Sequence, residues 1–172
     1  MLRKFIKNVD YYNNNIYFRC DVTQKSIMQL TRIITLFKTN TKNINIHITS
    51  NGGDLEYGMM CYDLLKLSKI PIHTFCEGYV CSSGTLIFLA GQKRFMTNYS
   101  KILIHQLTSE IDGTHENIKD HLYNNNLVMN DLKQLYLMET NIDKNTLNNL
   151  LKKNIFLTSQ ECLKYGFINK IL

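Results

Sequence analysis

Ser82 lies in Gly78-Tyr-Val-Cys-Ser-Ser-Gly84, ahead of the apolar run Thr85 to Ala90, where a strand is expected to turn into a helix. A hydroxyl there meets free backbone N–H groups and the positive end of the helix dipole, both of which lower the cost of developing negative charge. Acyl transfer needs such a nucleophile, a base that takes its proton, a group that orients the base, and amide donors for the oxyanion. The chain offers each. The Ser83 amide is a natural oxyanion donor, and the pair Gly52 and Gly53 in Ser50-Asn-Gly-Gly53 can bring backbone with an unshielded N–H close to a substrate. His105 closes Ile102-Leu-Ile-His-Gln106 and carries the side chain best suited to move a proton near neutral pH. Each residue also has a plainer reading: a helix N-cap for Ser82, a simple turn for the glycines, a satisfied core or rim histidine for His105. Nor is the serine set in the hydrolase elbow G-x-S-x-G. The combination points to a serine peptidase.

The elements that must position these residues follow from periodicity. Ile16 to Cys20 reads as a strand, and Ile27, Leu30, Ile33, Ile34 and Phe37 recur at helical spacing over 23–37. Ile44, Ile46 and Ile48 alternate with polar residues, so the glycine pair sits at a strand end before a second helix running to about Lys69. Pro71 to Cys76 predicts a strand, Ser82 to Ala90 a buried helix, and Arg94 to Met96 and Ile102 to His105 two short strands. A long helix is expected over 117–139, broken near Asn124-Asn-Asn126; a short helix follows over 145–151, then a strand over 155–157. Thr158-Ser-Gln-Glu161 is a capping box opening a last helix. Alternating strands and helices favour one α/β domain with parallel pairing.

Composition narrows the function classes. With 172 residues the chain fits one domain with a real core. Its net charge of +6 comes from scattered lysines without a basic run interleaved with aromatics, which argues against nucleic acid. Leu86 to Ala90, the longest apolar run, falls far short of the ~20 residues that cross a bilayer, and no signal peptide is evident, so a cytoplasmic protein without membrane contact is expected. Cys20, Cys61, Cys76, Cys81 and Cys162 show no paired short spacing of the kind that holds zinc; reduced thiols and no metal are expected.

Taken in order, Ser-Asn-Gly-Gly53, Gly-Tyr-Val-Cys-Ser-Ser-Gly84, Ile-His-Gln106, Asn-Ile-Phe-Leu-Thr158 and Tyr165-Gly-Phe-Ile168 resemble the motifs of the Clp protease proteolytic subunit, the ClpP family, from about Ile16 to Leu172. The resemblance implies a crotonase-like ββα superhelix, assembled as a homo-oligomer of two stacked seven-membered rings, a tetradecamer, around a proteolytic chamber. The helix over 117–139 would be the handle joining the rings. Ser82 would be the nucleophile, His105 the base, and the amides of Gly53 and Ser83 the oxyanion hole. Substrates would be peptides or unfolded polypeptides fed by an AAA+ unfoldase, with no cofactor.

The chain departs from the family pattern in several places. Asn154 stands where the third triad residue is an aspartate. An asparagine carbonyl can fix the histidine tautomer but cannot stabilise imidazolium; in a trypsin-like triad the same exchange costs roughly 10⁴ in kcat, although Cys-His-Asn triads work with an amide. Asp143, Glu110 and Asp112 are the carboxylates that could substitute. Asn45 and His47 replace aromatics of the unfoldase-docking patch, which predicts a weakened patch, and residues 1–15 make a shortened N-terminal segment. Asn51 and Leu107 replace prolines, and Ser83 a methionine. Cys81 beside Ser82 offers a cysteine-nucleophile alternative, with burial the expected reading. Three functions are consistent with this pattern: an active ClpP-like serine endopeptidase, a catalytically weak or inactive structural or regulatory subunit, and a dedicated phage-type maturation protease.

Overall fold

The structure, a computed structural model, describes residues 9–172. Of the N-terminal segment 1–15, residues 1–8 therefore lie outside the described residues. The chain enters through a hairpin, β1 (Val9–Tyr12) and β2 (Asn15–Phe18). Asn13 takes φ 52° in its two-residue turn, a conformation asparagine tolerates better than most residues. Strands β3 (Ile44–Ser50), β4 (Ile72–Cys81) and β5 (Lys93–Met96) follow β2 in parallel. β4 is long enough to pair β5 with its first half and β6 (Lys101–Leu103) with its last three residues. β7 (Lys170–Ile171) closes the edge beside β5. Among the described residues only the β1–β2 strand pair is antiparallel, so the fold is mixed α/β with a mostly parallel sheet.

Helices α1 (Gln24–Ile34) and α2 (Leu55–Lys66) link the first parallel strands. Both are capped by side chains: Thr23 in a capping box with Ser26, and Asp54, whose carboxylate accepts the Tyr57 N–H. All six residues of α3 (Gly84–Leu89) are buried, as its unbroken apolar sequence requires. Helices α4 (His115–Glu139), α5 (Lys144–Leu151) and α6 (Ser159–Lys164) complete the chain, and Thr158 and Glu161 form the expected capping box.

Several boundaries differ from the sequence reading. The helix expected over 117–139 begins two residues earlier and runs unbroken through Asn124–Asn126, since exposed asparagines cost a helix only a few tenths of a kcal/mol each. The strand expected over 155–157 reduces to a single antiparallel bridge between Leu157 and Ile102. β6 stops at Leu103, which leaves His105 beyond the strand. β1 and β7 had no sequence signal: one has a single buried residue, the other is two residues long.

Across the partly buried face of the sheet, Tyr17, His47, Phe75 and Phe95 stack ring on ring, at centroid distances of 5.0, 4.7 and 4.8 Å. Each ring comes from one of four successive parallel strands in register. His47 stands within this stack, with Nδ1 2.7 Å from Glu77, and Asn45 hydrogen-bonds Asn15. On the other face of β5, Arg94 pairs with Glu139 at 3.2 Å and donates to the Glu139 and Gly166 carbonyls, while Lys66 and Tyr62 of α2 also reach Glu139. This cluster fixes the C-terminal end of α4.

Candidate active site

β4 ends at Cys81, and the next residue turns the chain with φ 51°, a left-handed conformation that a non-glycine residue adopts at a cost of about 1–2 kcal/mol. That residue is Ser82. Three hydrogen bonds hold it there: its N–H donates to the Leu103 carbonyl at 2.8 Å, and its carbonyl accepts the Thr85 N–H at 2.9 Å and the Thr85 hydroxyl at 2.6 Å. Ser82 is not the helix cap. Ser83 occupies that position, and its hydroxyl makes no capping bond.

The glycine loop is pressed against this turn. Gly52 (φ +94°) leaves no room for a side chain, because a Cβ would stand 2.7 Å from the Cys81 carbonyl oxygen. Gly53 (φ +139°) is pinned from the other side, where a Cβ would fall 2.3 Å from the Val22 carbonyl oxygen. The neighbouring amides are used: Val22 N–H donates to Gly52 O, Asp54 N–H to Val22 O, and Gly52 N–H to Ser50 Oγ. The amides of Gly53 and Ser83 find no backbone acceptor among the described residues. An oxyanion formed at a serine needs N–H donors that are not already engaged.

A cavity of about 240 Å³ is lined by Gly53, Ser82, Ser83 and His105 together, with Leu55, Leu132 and Tyr136 among its walls. Four of the five sequence-predicted site residues are therefore brought together. Asn154 is exposed and does not line this cavity. Its loop nevertheless runs beside the histidine segment: Gln106 N–H donates to Leu151 O at 2.8 Å, and Ile102 and Leu157 exchange both backbone hydrogen bonds. Asn154 falls between these two anchors. The side chains of Ser82, His105 and Asn154 are not joined by hydrogen bonds among the described residues.

The alternative acids are occupied or elsewhere. Asp143 caps α5 by accepting the Asn145 and Thr146 N–H groups, Asp112 accepts the Gly113 N–H, and none of Asp143, Asp112 or Glu110 lines the cavity. The carboxylate that does line it is Asp54, the N-cap of α2. Cys81 is buried, and burial pushes its thiol above the usual cysteine range, away from the thiolate a cysteine nucleophile needs.

Residues 6–172 match the family model of the Clp protease. The chain belongs to the Clp protease family. For a Clp protease, a serine at the end of a central strand, a glycine-rich strand end and a histidine around one cavity are a peptidase's equipment at the level of the family. Among the described residues of this Clp protease chain, no group of three or more His, Cys, Asp or Glu side chains is arranged to hold a metal ion, and no helix is long and apolar enough to cross a membrane. Two residues around the site escaped the sequence reading. Thr85 looked like the start of an apolar helix, and Tyr136 is a buried aromatic in a helix whose periodicity pointed to its leucines; only the fold shows that they meet.

Proposed function

We propose that the chain is a single ClpP-like peptidase domain over 1–172 that hydrolyses peptide bonds of peptides or unfolded proteins, with Ser82 as nucleophile. Ser82 Oγ adds to the scissile carbonyl carbon while His105 takes the hydroxyl proton. The oxyanion is received by the Gly53 and Ser83 amides, the amine leaves with the proton from His105, and water then frees the acyl-serine by the same steps. Asn154 accepts the other imidazole N–H and fixes the tautomer without stabilising imidazolium. One observation carries this reading: a serine held at φ 51° lines one cavity with a histidine and with two residues whose amides have no backbone acceptor among the described residues.

The finer features follow the family. The domain works in the cytoplasm inside stacked heptameric rings, with α4 as the handle, and the ring ladder from Tyr17 to Phe95 receives a loop of an AAA+ unfoldase. No cofactor takes part.

Labelling by a fluorophosphonate probe, followed by intact mass, tests the chemistry. Wild type is expected to acquire one adduct, Ser82→Ala none, and Asn154→Asp the same adduct faster. The solvent exposure of Asn154 supports a second reading, a ring member without activity. That reading expects no adduct in wild type and its appearance in Asn154→Asp.

A further inference from the structure

The inner end of α4 reaches the nucleophile's turn through one side chain. Tyr136 is buried, 1% exposed, and its hydroxyl lies 2.6 Å from Thr85 Oγ1. Thr85 Oγ1 in turn lies 2.6 Å from the Ser82 carbonyl oxygen. A carbonyl can only accept, so the single threonine proton goes to Ser82, and the tyrosine proton must go to Thr85. The three groups therefore form a directed chain, Tyr136 to Thr85 to Ser82, in which successive hydrogen bonds strengthen one another. Burial also raises the tyrosine's pKa, which keeps the donating proton in place.

We infer that Tyr136 is a positioning residue for Ser82, acting through Thr85 to hold the nucleophile in its left-handed turn. The inference rests on the reading of Ser82 as nucleophile. Without Tyr136, the Thr85 hydroxyl keeps its bond to Ser82 but loses the donor that orients it from the other side; without the Thr85 hydroxyl, the Ser82 carbonyl keeps only the Thr85 amide. Either loss lets the serine drift from the direction in which Gly53 and Ser83 present their amides. Small displacements of a reacting group cost rate far more than stability.

The test compares Tyr136→Phe, Thr85→Val, Thr85→Ser and the Tyr136→Phe/Thr85→Val double variant. Three quantities are read: the fluorophosphonate acylation rate at Ser82, the melting temperature, and amide hydrogen exchange over 78–86. Loss of a hydrogen bond in the chain is expected to slow acylation about tenfold in Thr85→Val and about three- to tenfold in Tyr136→Phe. Thr85→Ser keeps the hydroxyl and is expected within about twofold of wild type, although removal of its buried methyl lowers the melting temperature. The double variant should be no slower than Thr85→Val, because a broken chain cannot be broken twice. Wild-type acylation in Tyr136→Phe, or independent losses that multiply in the double variant, overturns the inference. Complete absence of acylation in wild type would sink the peptidase reading instead. Exchange then decides the positioning role: faster exchange over 78–86 in Tyr136→Phe sustains it, and unchanged exchange rejects it.

Discussion

Gly52 and Ser82 touch so closely that a Cβ added to Gly52 would stand 2.5 Å from the Cβ of Ser82. The strand end that carries the free Gly53 amide and the turn that carries the serine are thereby held as one unit. Gly52→Ala must move one of them, and it also places a side chain at φ +94°. The expected cost is about 1–3 kcal/mol from backbone strain, seen as a lower urea midpoint. Acylation of Ser82 should fall by about 10²-fold, as for an ångström-scale misplacement. A Gly52→Ala protein with wild-type labelling would show that the contact is dispensable.

Ser83 predicts a gain of stability on substitution. Its side chain is 2% exposed and its hydroxyl has no partner among the described residues. A buried, unbonded hydroxyl costs about 1–3 kcal/mol. Ser83→Ala removes it while keeping the backbone amide, so the melting temperature should rise by a few degrees, at roughly 2–4 °C per kcal/mol for a chain of this size. A fall in melting temperature would mean that the hydroxyl is bonded in solution.

The Glu139 cluster sets an acid limit. Burial alone would raise this carboxyl, but hydrogen bonds from Lys66 and Tyr62 and the charges of Lys66 and Arg94 outweigh it and hold the pKa below its ordinary value of 4.5. A carboxyl depressed in the folded state binds its proton more readily when unfolded. Its contribution is therefore fully present above about pH 4.5 and is lost as pH falls through the folded value. Glu139→Gln should lower stability at pH 7 and flatten the decline below about pH 4.5. Denaturant unfolding at pH 7 and in steps from pH 5 to pH 3, compared with wild type, measures both effects; parallel curves would remove Glu139 from the acid transition.

Cysteine chemistry offers a separate check on the nucleophile. Cys61 and Cys76 are buried thiols pushed up to about 12, Cys81 and Cys162 are also buried and raised, and Cys20, half-buried, is pushed up to about 11. Iodoacetamide at pH 7.5 should therefore alkylate the folded protein slowly, at well under a tenth of the rate of a free thiol of pKa about 8.5. Cys81→Ala should keep its fluorophosphonate adduct. Loss of the adduct with Cys81 would transfer the chemistry from Ser82 to the thiol.

The sequence carried the site further than it carried its supports. Ser82, Ser83, Gly53 and His105 were legible because glycine pairs, strand alternation and an apolar run after a serine are local signals. The Thr158–Glu161 capping box was legible for the same reason. The place of Asn154 was not, because it depends on two backbone anchors, Gln106 to Leu151 and Ile102 to Leu157, which pair segments about fifty residues apart. The stacking of the His47 ring between Tyr17 and Phe75 was not legible either, because it depends on the parallel register of three strands. Tyr136 shares the helical period of the buried stripe with Leu132, but the period does not show that its oxygen faces Thr85 from another helix.

Helix α4 buries Leu132, Leu135 and Tyr136 near its C-terminal end, yet carries Ile118, Leu122, Tyr123 and Leu127 exposed along its first half. Oil-like area of that extent in water is a standing free-energy cost that another surface can relieve. A species that associates only when folded gains stability with the logarithm of its own concentration. The melting temperature of this protein is accordingly expected to rise on concentrating it and to fall on dilution, and replacing Leu122 and Leu127 by lysine should abolish that dependence.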